Sequence, residues 1–393
     1  MKNIRINIRL SLEITFVILI PFLVLSPVIK YLSPNETAYK CWFFTLMILR
    51  AIIILRFIKL IVKWFHGKYI ATKQADKKTN RALFGTSLLV LFLMLEIVFM
   101  FIPQNQDVYK LGLATKVWNA YYKENENEKS FRDKPLKGRL NTQKRVVFFL
   151  GDSFTYGNGI KKDEDRFADQ VTAKMDSSKY ETFNLGKGNT DTKDEFVRLV
   201  NFGLKPNYLI LQYYHNDIEE VGAKYGHFNL TKTGYKSSKT SFFKKALLAI
   251  AMLPFRASFF MNYIALNNSK FLIPKSQNNY KECLTQAYSD STCVNEHLKD
   301  MGSVIKYCSV HHIKLYVVFI PDARDIDYTQ GLFNSYIIPF LKQHHTPYIT
   351  LDRQFKKYKT SELVINPLNA HTNAFANALI AQQILDSIPE LQH

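Results

Sequence analysis

Three long apolar runs in the first hundred residues constrain this chain more than any other feature. They cover about residues 10–32, 41–62 and 82–102. Each approaches or exceeds the roughly 20 residues that a helix needs to cross about 30 Å of hydrocarbon. The first run is too long for a signal peptide and lacks a small-residue cleavage site. We therefore predict three transmembrane helices, which form a membrane anchor over residues 1–103.

Basic residues next to these runs predict the orientation of the anchor. Three of them precede the first run and residues 67–81 hold five more, whereas the connector 33–39 has none. Because basic loops stay on the cytosolic side, we expect the N-terminus in the cytosol and everything after Pro103 outside. Arg50 interrupts the second run, and we expect its long side chain to extend to the cytosolic membrane surface.

The formal charge of +19 does not indicate a nucleic-acid-binding protein. Residues 1–103 hold 14 Lys and Arg against 4 Asp and Glu, a net +10, which leaves +9 for the other 290 residues. Those residues contain no dense basic run and no nucleic-acid-binding motif. Attraction to an anionic membrane surface or envelope polymer fits this charge, and a generally basic proteome explains it equally well. We expect no nucleic-acid partner, and we expect a lipid bilayer as a partner because of the apolar runs.

The four cysteines agree with export but carry no metal motif. Cys283 and Cys293 flank a turn-rich stretch and could close a small disulfide loop in an oxidising compartment. No CxxC pair or cluster of His and Cys indicates zinc. We expect neither a metal nor a cofactor.

Short apolar runs alternate with amphipathic stretches from residue 144 onwards, after a polar linker over 104–143. The runs are rich in β-branched and aromatic residues and are bounded by turn residues, which predicts strands. They cover 145–150, 180–185, 207–214, 314–320 and 347–351. Strands that alternate with helices predict an α/β domain with a five-stranded parallel sheet. We expect this domain to cover 144–393.

An insertion over about 219–294 breaks this alternation. Within it, residues 242–266 are strongly apolar, but Pro254 and Arg256 cut the run below spanning length. A fourth span would also place the last two strands on the wrong side of the membrane. The segment is either a lid or membrane-facing helical subdomain, or an ordinary pair of packing helices.

The first predicted strand ends in "FLGDSFTYGNGI", which places Ser153 on a tight turn. A residue there lies at the carboxyl edge of a parallel sheet, where ligands bind in open α/β folds. Gly151 allows the sharp turn, and we expect Gly157 and Gly159 to let the backbone pass close to a substrate. Ser153 is therefore the candidate nucleophile.

This stretch resembles the first block of the SGNH/GDSL hydrolase family, in which Gly-Asp-Ser is followed by Thr and Gly. Gly151, Asp152, Ser153 and Thr155 stand at the matching positions. The resemblance implies a three-layer α/β/α, flavodoxin-like domain with strand order 2-1-3-4-5. It also implies ester hydrolysis through a serine nucleophile, with the backbone N–H of Ser153 in the oxyanion hole.

Two further stretches resemble the second and third family blocks and imply the other oxyanion donors. In "FNLGKGNTDT" the donor is the N–H of Gly188, with Gly186 as the alternative. In "QYYHNDI" the donor is the side chain of Asn216, followed by Asp217 in a supporting role. Tyr214 stands where the family has a glycine.

The last block, "NPLNAHTNAFANALIA", places His371 in the position of the general base. The family has an acidic residue two or three positions earlier, where this chain has Leu368 and Asn369. Asn369 can fix the tautomer of His371 but cannot offset the imidazolium charge. Three explanations stay open: a Ser–His dyad assisted by Asn369, a substitute carboxylate from Asp322 or Asp325, or a loss of catalysis.

These features predict a membrane-anchored ester hydrolase, an esterase or O-deacetylase that acts on an envelope glycan or lipid ester. An O-acetyltransferase for an exported polysaccharide is the second interpretation, and it would need a partner membrane protein to supply the acyl donor. A third is a binding or assembly protein on a decayed hydrolase fold. The missing acidic residue favours this third interpretation, whereas the intact Ser, Gly, Asn and His argue against it.

Overall fold

The structure is a computed structural model that describes most of the chain. The described ranges are 13–21, 23–24, 36–66, 77–105, 112–122, 126–228, 230–231, 234–235, 250–251, 253–268, 273–367 and 369–392. The chain divides into two compact units. The unit that holds the predicted membrane anchor comprises Met1–Lys123 and Lys239–Lys270 and is called the anchor unit. The unit that holds the predicted active site comprises Glu124–Ser238 and Phe271–His393 and is called the catalytic unit.

The five predicted strands are present in the predicted order, and the structure adds short helices and strands that the sequence pattern did not predict. The helices are α1 Glu36–Phe65, α2 Lys77–Phe99, α3 Leu113–Tyr122, α4 Ser153–Tyr156, α5 Phe167–Lys174, α6 Thr192–Asn201, α7 Glu219–Lys224, α8 Leu253–Ala257, α9 Phe259–Asn268, α10 Ile273–Ser289, α11 Ser291–Val310, α12 Ile326–Leu332, α13 Ile338–Gln343, α14 Asp352–Phe355, α15 Thr360–Leu363 and α16 Ala374–Ser387. The strands of the central sheet and of the ladder before the last helix are β1 Arg145–Leu150, β2 Tyr180–Asn184, β3 Tyr208–Tyr213, β4 Lys314–Phe319, β5 Tyr348–Thr350, β6 Val364–Asn366 and β7 Asn369–Thr372. A separate two-residue antiparallel ladder pairs Leu230–Thr231 with Gly234–Tyr235.

A five-stranded parallel sheet forms the centre of the catalytic unit. Its strand order is β2-β1-β3-β4-β5, which confirms the predicted sheet and its 2-1-3-4-5 order. β1 pairs with β2 and β3 at once, with Phe148 opposite both Phe183 and Leu209. Because parallel strands end at a common edge, the residues that follow β1, β2 and β3 come together there.

Alternating side chains of the sheet face two separate apolar layers. Phe148 packs in one layer with Leu199 of α6 and Met301 of α11. Its neighbour Phe149 points to the other face and packs with Phe167 of α5, in a layer that also includes buried side chains of α16. Successive residues of a strand face opposite sides, so each layer of helices covers one face. This confirms the α/β fold with helices on both sides of the sheet.

One helix among the described residues is long and apolar enough to cross a membrane. It covers Asn80–Phe99 in α2, with a mean hydropathy of 2.4. The second predicted span lies in α1, where Arg50, Arg56, Lys59 and Lys63 interrupt the apolar pattern. Most of the first, about 10–32, lies outside the described residues. One of the three predicted spans is therefore supported by length and composition.

Arg50 does not extend to a membrane surface as the sequence pattern suggested. Its side chain is 3% exposed, and its Nη1 atom lies 2.7 Å from Oε1 of Glu96 in α2. The prediction was wrong because a single sequence does not reveal which acidic residue faces Arg50 across the helix pair.

Two further expectations need correction. The predicted linker 104–143 contains α3, an amphipathic helix whose Leu113 and Val117 are fully buried in the anchor unit. Cys283 and Cys293 form no disulfide; both are free thiols, on α10 and α11. The turn-rich composition between them reflects the break between these two helices at Asp290.

Candidate active site

Ser153 begins the short helix α4 immediately after the end of β1. The Asp152 side chain caps this helix, because its Oδ1 atom accepts a hydrogen bond of 2.8 Å from the N–H of Phe154. Gly151 is required for close packing: a Cβ atom there would lie 2.3 Å from Thr155 Oγ1 and 2.4 Å from Gln212 Oε1. The tight turn places the serine hydroxyl at the carboxyl edge of the sheet.

His371 reaches Ser153 from the other end of the sequence. It lies on β7, which forms a two-stranded antiparallel ladder with β6 just before α16. Its Nε2 atom is 2.7 Å from Oγ of Ser153. The imidazole packs against the ring of Phe154, with 4.7 Å between ring centroids. The structure therefore brings the predicted nucleophile and the predicted base into hydrogen-bonding contact.

Asn369 is fully buried and completes a chain of three side chains. Its Oδ1 atom lies 2.6 Å from Nδ1 of His371 and also accepts the backbone N–H of His371 at 3.0 Å. A backbone N–H can only donate, so the amide atom that faces it must be the oxygen. That oxygen then requires a proton on Nδ1, which leaves Nε2 unprotonated and able to accept the proton of Ser153.

Gly157 and Gly159 have positive φ angles of 77° and 85°, but both contact protein groups where we expected a substrate. A Cβ atom on Gly157 would lie 2.4 Å from Cδ of Arg166. A Cβ atom on Gly159 would lie 2.8 Å from Ile365 and 3.1 Å from Nδ2 of Asn369. Gly159 therefore makes room for the residue that orients the histidine.

Gly188, and not Gly186, is placed to face Ser153. The N–H of Gly186 donates to Asn184 Oδ1 at 2.9 Å, and a Cβ atom there would lie 2.2 Å from the backbone nitrogen of Tyr156. A Cβ atom on Gly188 would instead lie 3.8 Å from Cβ of Ser153. Gly186 thus packs the loop against α4, while Gly188 borders the serine.

Asn216 and Asp217 follow β3 on the turn His215–Ile218. Asn216 is half-buried. Oδ2 of Asp217 accepts the N–H of Tyr214 at 3.0 Å, so Asp217 holds the turn in shape. Tyr214, which replaces the family glycine, packs its ring on Phe154 with a centroid distance of 4.3 Å.

Asp322 does not orient His371. Burial alone would raise the pKa of Asp322, but the bonds from Arg324 outweigh burial and lower it; Nη2 of Arg324 lies 2.6 Å from Oδ2. Asp325 pairs with Lys281 at 2.6 Å. Asn369 occupies the Nδ1 side of the imidazole, so the alternative of a substitute carboxylate at this position is wrong.

A buried polar group that the sequence pattern did not reveal lies behind the tight turn after β1. Arg198 of α6 donates from Nη2 to the carbonyl oxygen of Gly151 at 2.8 Å. Glu195, one turn earlier, is fully buried, and burial raises its pKa well above the ordinary value. Burial also raises the pKa of Asp152 and of Asp217. A charged pair on the inner face of an amphipathic helix was the only sequence signal.

Asn184 is a second residue that the sequence did not reveal. It ends β2, donates from Nδ2 to the Thr155 carbonyl oxygen at 2.9 Å and accepts the N–H of Gly186. One amide thus fastens the Gly188 loop to the nucleophile helix. Its sequence signal is weak, because an Asn at the end of a strand is also a common turn residue.

One group of carboxylates among the described residues has the spacing of a metal site. Oxygen atoms of Asp191, Asp194 and Glu220 lie within 4.8 Å of one another. Asp194 and Glu220 are exposed, and exposed acidic groups are common without an ion. Burial and the nearby Glu220 raise the pKa of Asp191 to about 7.

The fold and these contacts define a class of protein: a parallel α/β domain with a Ser–His–Asn constellation at the carboxyl edge of its sheet. No family model matches the chain, and no curated protein matches it. Solved structures that resemble it include GDSL-type and other esterases, and the likeness is low.

A two-domain esterase (CEX) active on acetylated mannans is 13% identical with a TM-score of 0.34, over 63% of this chain and 50% of that one. TesA is 9% identical with a TM-score of 0.38, over 63% and 99%. The psychrotrophic esterase EstA from Pseudoalteromonas sp. is 12% identical with a TM-score of 0.37, over 63% and 97%. The matched region spans half the length of the mannan esterase. Similarity at this level does not indicate the activity of this chain.

Proposed function

We propose that this chain is a membrane-anchored serine ester hydrolase. The observation that carries the proposal is the row of contacts from Ser153 Oγ to His371 Nε2, 2.7 Å, and from His371 Nδ1 to Asn369 Oδ1, 2.6 Å. A hydroxyl in contact with an oriented imidazole is the arrangement that activates a serine nucleophile.

The proposed reaction is acyl transfer through an acyl-enzyme. Nε2 of His371 takes the proton of Ser153 as Oγ attacks the ester carbonyl carbon. The oxyanion forms against the N–H groups of Ser153 and Gly188 and the amide of Asn216. His371 then protonates the departing alkoxide. A water molecule, deprotonated by His371, attacks the acyl group, and the acid leaves as Ser153 regains its proton.

Asn369 keeps the correct tautomer but adds no charge. In a serine protease, changing the triad Asp to Asn lowers turnover by about 10⁴ because the wrong tautomer is held. Here the N–H of His371 locks the Asn369 oxygen towards Nδ1, so tautomer loss does not apply. We therefore expect an active hydrolase that lacks only the electrostatic stabilisation that a carboxylate would give to the imidazolium.

The anchor is proposed to span the membrane three times, with the catalytic unit on the extracytoplasmic side. The apolar helix Asn80–Phe99 supports one span. On α1, Trp42 and Trp64 are 52% and 56% exposed. They are 22 positions apart, about 33 Å along a helix, which fits Trp residues at the two interfaces of a bilayer.

The proposed substrate is an ester on an envelope glycan or lipid, because an anchored enzyme meets esters at the membrane surface. The same acyl-enzyme would transfer its acyl group if a sugar hydroxyl replaced water. That version requires a partner membrane protein that delivers the acyl donor. Release of free acid with no acceptor present separates the hydrolase from the transferase.

A serine-directed fluorophosphonate probe tests the proposed function. We expect it to label the full-length protein, and we expect Ser153→Ala and His371→Ala to abolish labelling because no activated hydroxyl remains. Ser178→Ala is a matched control, since this exposed serine contacts only Asp176 among the described bonds. No labelling of either wild type or Ser153→Ala would instead favour a non-catalytic binding or assembly protein, the interpretation that the missing acid favours. Equal labelling of both would show that a different serine reacts and would contradict Ser153 as the nucleophile.

A further inference from the structure

A buried polar cluster in the anchor unit has no role in the proposed reaction. Arg50 of α1 and Glu96 of α2 are 3% and 2% exposed, and their side chains are 2.7 Å apart. Arg50 also donates to the carbonyl oxygens of Val17 and Ala257, at 3.0 and 3.3 Å. An ion pair this deeply buried is costly unless its remaining hydrogen-bonding groups are satisfied.

The carboxylate of Glu96 accepts hydrogen bonds from the residues at the start of α9, a helix that lies in the insertion. Its Oε2 atom accepts Ser258 Oγ at 2.6 Å and the N–H of Phe260 at 3.0 Å, and its Oε1 atom accepts the N–H of Phe259 at 2.8 Å. The first N–H groups of a helix have no partner within the helix, and a carboxylate is favourable there. A residue of the membrane-spanning helix thus caps a helix 163 positions later.

The contacts of α9 place it beside the last two turns of α2. Phe260 packs on Phe92 and Phe99, with centroid distances of 5.9 and 5.2 Å, and Tyr263 packs on Phe99 at 4.6 Å. Both partners lie inside the apolar span Asn80–Phe99. Phe92 is seven positions before Phe99, about 10 Å along the helix axis. The insertion therefore descends alongside the spanning helix rather than stopping at its end.

The break between α8 and α9 has its backbone groups satisfied within the protein. The N–H of Ser258 donates to Pro254 and the N–H of Asn262 to Ser258, at 3.1 and 3.0 Å. Nδ2 of Asn262 donates to the Phe255 carbonyl oxygen at 3.0 Å. Arg50 donates to the last carbonyl oxygen of α8, and Glu96 accepts the first two N–H groups of α9. Irregular backbone is tolerated at membrane depth only when its polar groups have such partners.

The insertion also exposes apolar side chains. Ile250, Leu253 and Ile264 are 63%, 46% and 38% exposed. On the neighbouring α2, Phe84 and Val98 are 67% and 52% exposed. The insertion and the neighbouring α2 thus both expose large apolar side chains, which in water would be unfavourable.

We infer that residues 253–268 form a re-entrant element embedded in the outer leaflet, with Leu253 and Ile264 against lipid acyl chains and with the Arg50–Glu96 pair as its fastening. This rests on the membrane anchor of the proposed function and goes beyond it. The anchor then comprises the three proposed spans and this segment of the insertion.

Quenching by spin-labelled lipids tests the location of the element. The full-length protein, with Cys41 and Cys283 replaced by Ser, carries a single reporter as Ile264→Cys, Phe84→Cys or Val310→Cys, each labelled with an environment-sensitive fluorophore in vesicles. Val310 is a matched control, an apolar side chain that is 62% exposed on α11 of the catalytic unit. We expect acyl-chain spin labels to quench positions 264 and 84 and not 310.

The three positions separate the inference from the anchor on which it rests. If position 84 is quenched and position 264 behaves like position 310, the re-entrant element is overturned while the anchor stands. If position 84 is not quenched, the membrane anchor itself fails.

Glu96→Gln tests whether the Arg50–Glu96 pair holds residues 253–268 in place. The substitution removes the charge that holds Arg50 and one of the two oxygens that cap α9, so we expect quenching at 264 to be lost and quenching at 84 to persist. Glu13→Gln is the control with the same chemical change, since its partner Arg56 is 47% exposed. If Glu96→Gln is not recovered in membranes, Arg50→Met/Glu96→Gln removes the orphaned cation and should show the same loss. Unchanged quenching at 264 in either variant contradicts the role of the pair.

Discussion

The backbone N–H of His371 decides which way the Asn369 amide faces. Because this N–H donates to Oδ1, the oxygen and not the nitrogen is presented to the imidazole. A rotated amide would leave the half-buried N–H of His371 without this acceptor, at a cost of up to about 1–3 kcal/mol. The backbone N–H of His371 and the amide of Asn369 thus fix the tautomer of the imidazole, which is one of the roles of the carboxylate in a triad.

Asn369→Asp tests how much the missing charge matters. A hydrogen bond to a charged group is worth about 1–1.5 kcal/mol more than a neutral one, so we expect kcat to rise about tenfold with little change in KM. Asn369→Ala removes the orienting oxygen and should lower kcat by about 10- to 100-fold. Steady-state hydrolysis of short-chain aryl esters by the full-length protein measures both.

A fall in kcat for Asn369→Asp would contradict this account, since it would mean that the amide nitrogen has a role of its own. Nδ2 lies close to Gly159, so a charged oxygen there is the physical route to such a result. Probe labelling of the same variants separates a loss of nucleophile activation from a loss of substrate binding.

The position of Ser153 was predictable because it directly follows β1. His371 and Asn369 were predicted from the resemblance of the last block, and the structure places both on β7 beside Ser153. The reasons for the two glycines were not predictable. Gly157 and Gly159 admit Arg166 and Asn369, which are 9 and 210 positions away from them. Such long-range contacts leave no mark on a local pattern, whereas a tight turn after a strand does.

At the scale of helices and strands, the sheet was predictable and the insertion was not. Each of the five strands is a short β-branched or aromatic run between turn residues, a local signal that burial on both faces strengthens. Residues 253–268 have an apolar composition that fits a core helix and a membrane element equally well. Their placement in the anchor unit depends on Glu96, which no local pattern connects to them.

His297 of α11 joins its helix to the central strand β3. Its Nε2 atom lies 2.8 Å from the hydroxyl of Tyr213, and burial lowers its pKa to about 4. The folded state therefore binds fewer protons than the unfolded state between about pH 4 and 6.5. Stability from this group is complete above pH 6.5 and falls by about 3 kcal/mol as the pH drops to 4.

His297→Gln should reduce the dependence of the free energy of unfolding on pH between pH 6.5 and 4, because about one proton fewer is taken up on unfolding. The difference between variant and wild type isolates His297. His215, with a pKa of about 4, acts in the same direction, whereas Asp191 and Glu219, with pKa values of about 7, act in the opposite one. Pulse proteolysis in urea at several pH values measures the free energy of unfolding of the catalytic unit.

Tryptophan fluorescence cannot replace proteolysis in that experiment, because Trp42, Trp64 and Trp118 all belong to the anchor unit. His344→Gln is the matched control, since His344 is exposed. An unchanged pH slope for His297→Gln would show that the imidazole is not neutral in the folded state.

At the scale of the whole molecule, the division of charge and apolar surface fits the membrane anchor and the separate catalytic unit that we propose. About half of the +19 charge lies in the first 103 residues, next to apolar runs. The catalytic unit has two apolar layers around one sheet, whereas the anchor unit exposes apolar side chains along α1 and α2. A soluble domain seldom exposes so many apolar side chains along long helices, so these helices are consistent with a lipid environment.

Labelling of single cysteines on intact cells tests the proposed topology. A membrane-impermeant maleimide should label Val310→Cys in the catalytic unit without permeabilisation, because this unit is proposed to be extracytoplasmic. Trp64→Cys, near the basic cytosolic end of α1, should be labelled only after the membrane is opened. Cys41 and Cys283 are replaced by Ser. Cys293 and Cys308 can remain, since burial raises their pKa values to about 11 and 12 and keeps the thiolate scarce. Labelling of position 64 but not 310 on intact cells would reverse the orientation and move the proposed substrate into the cytosol.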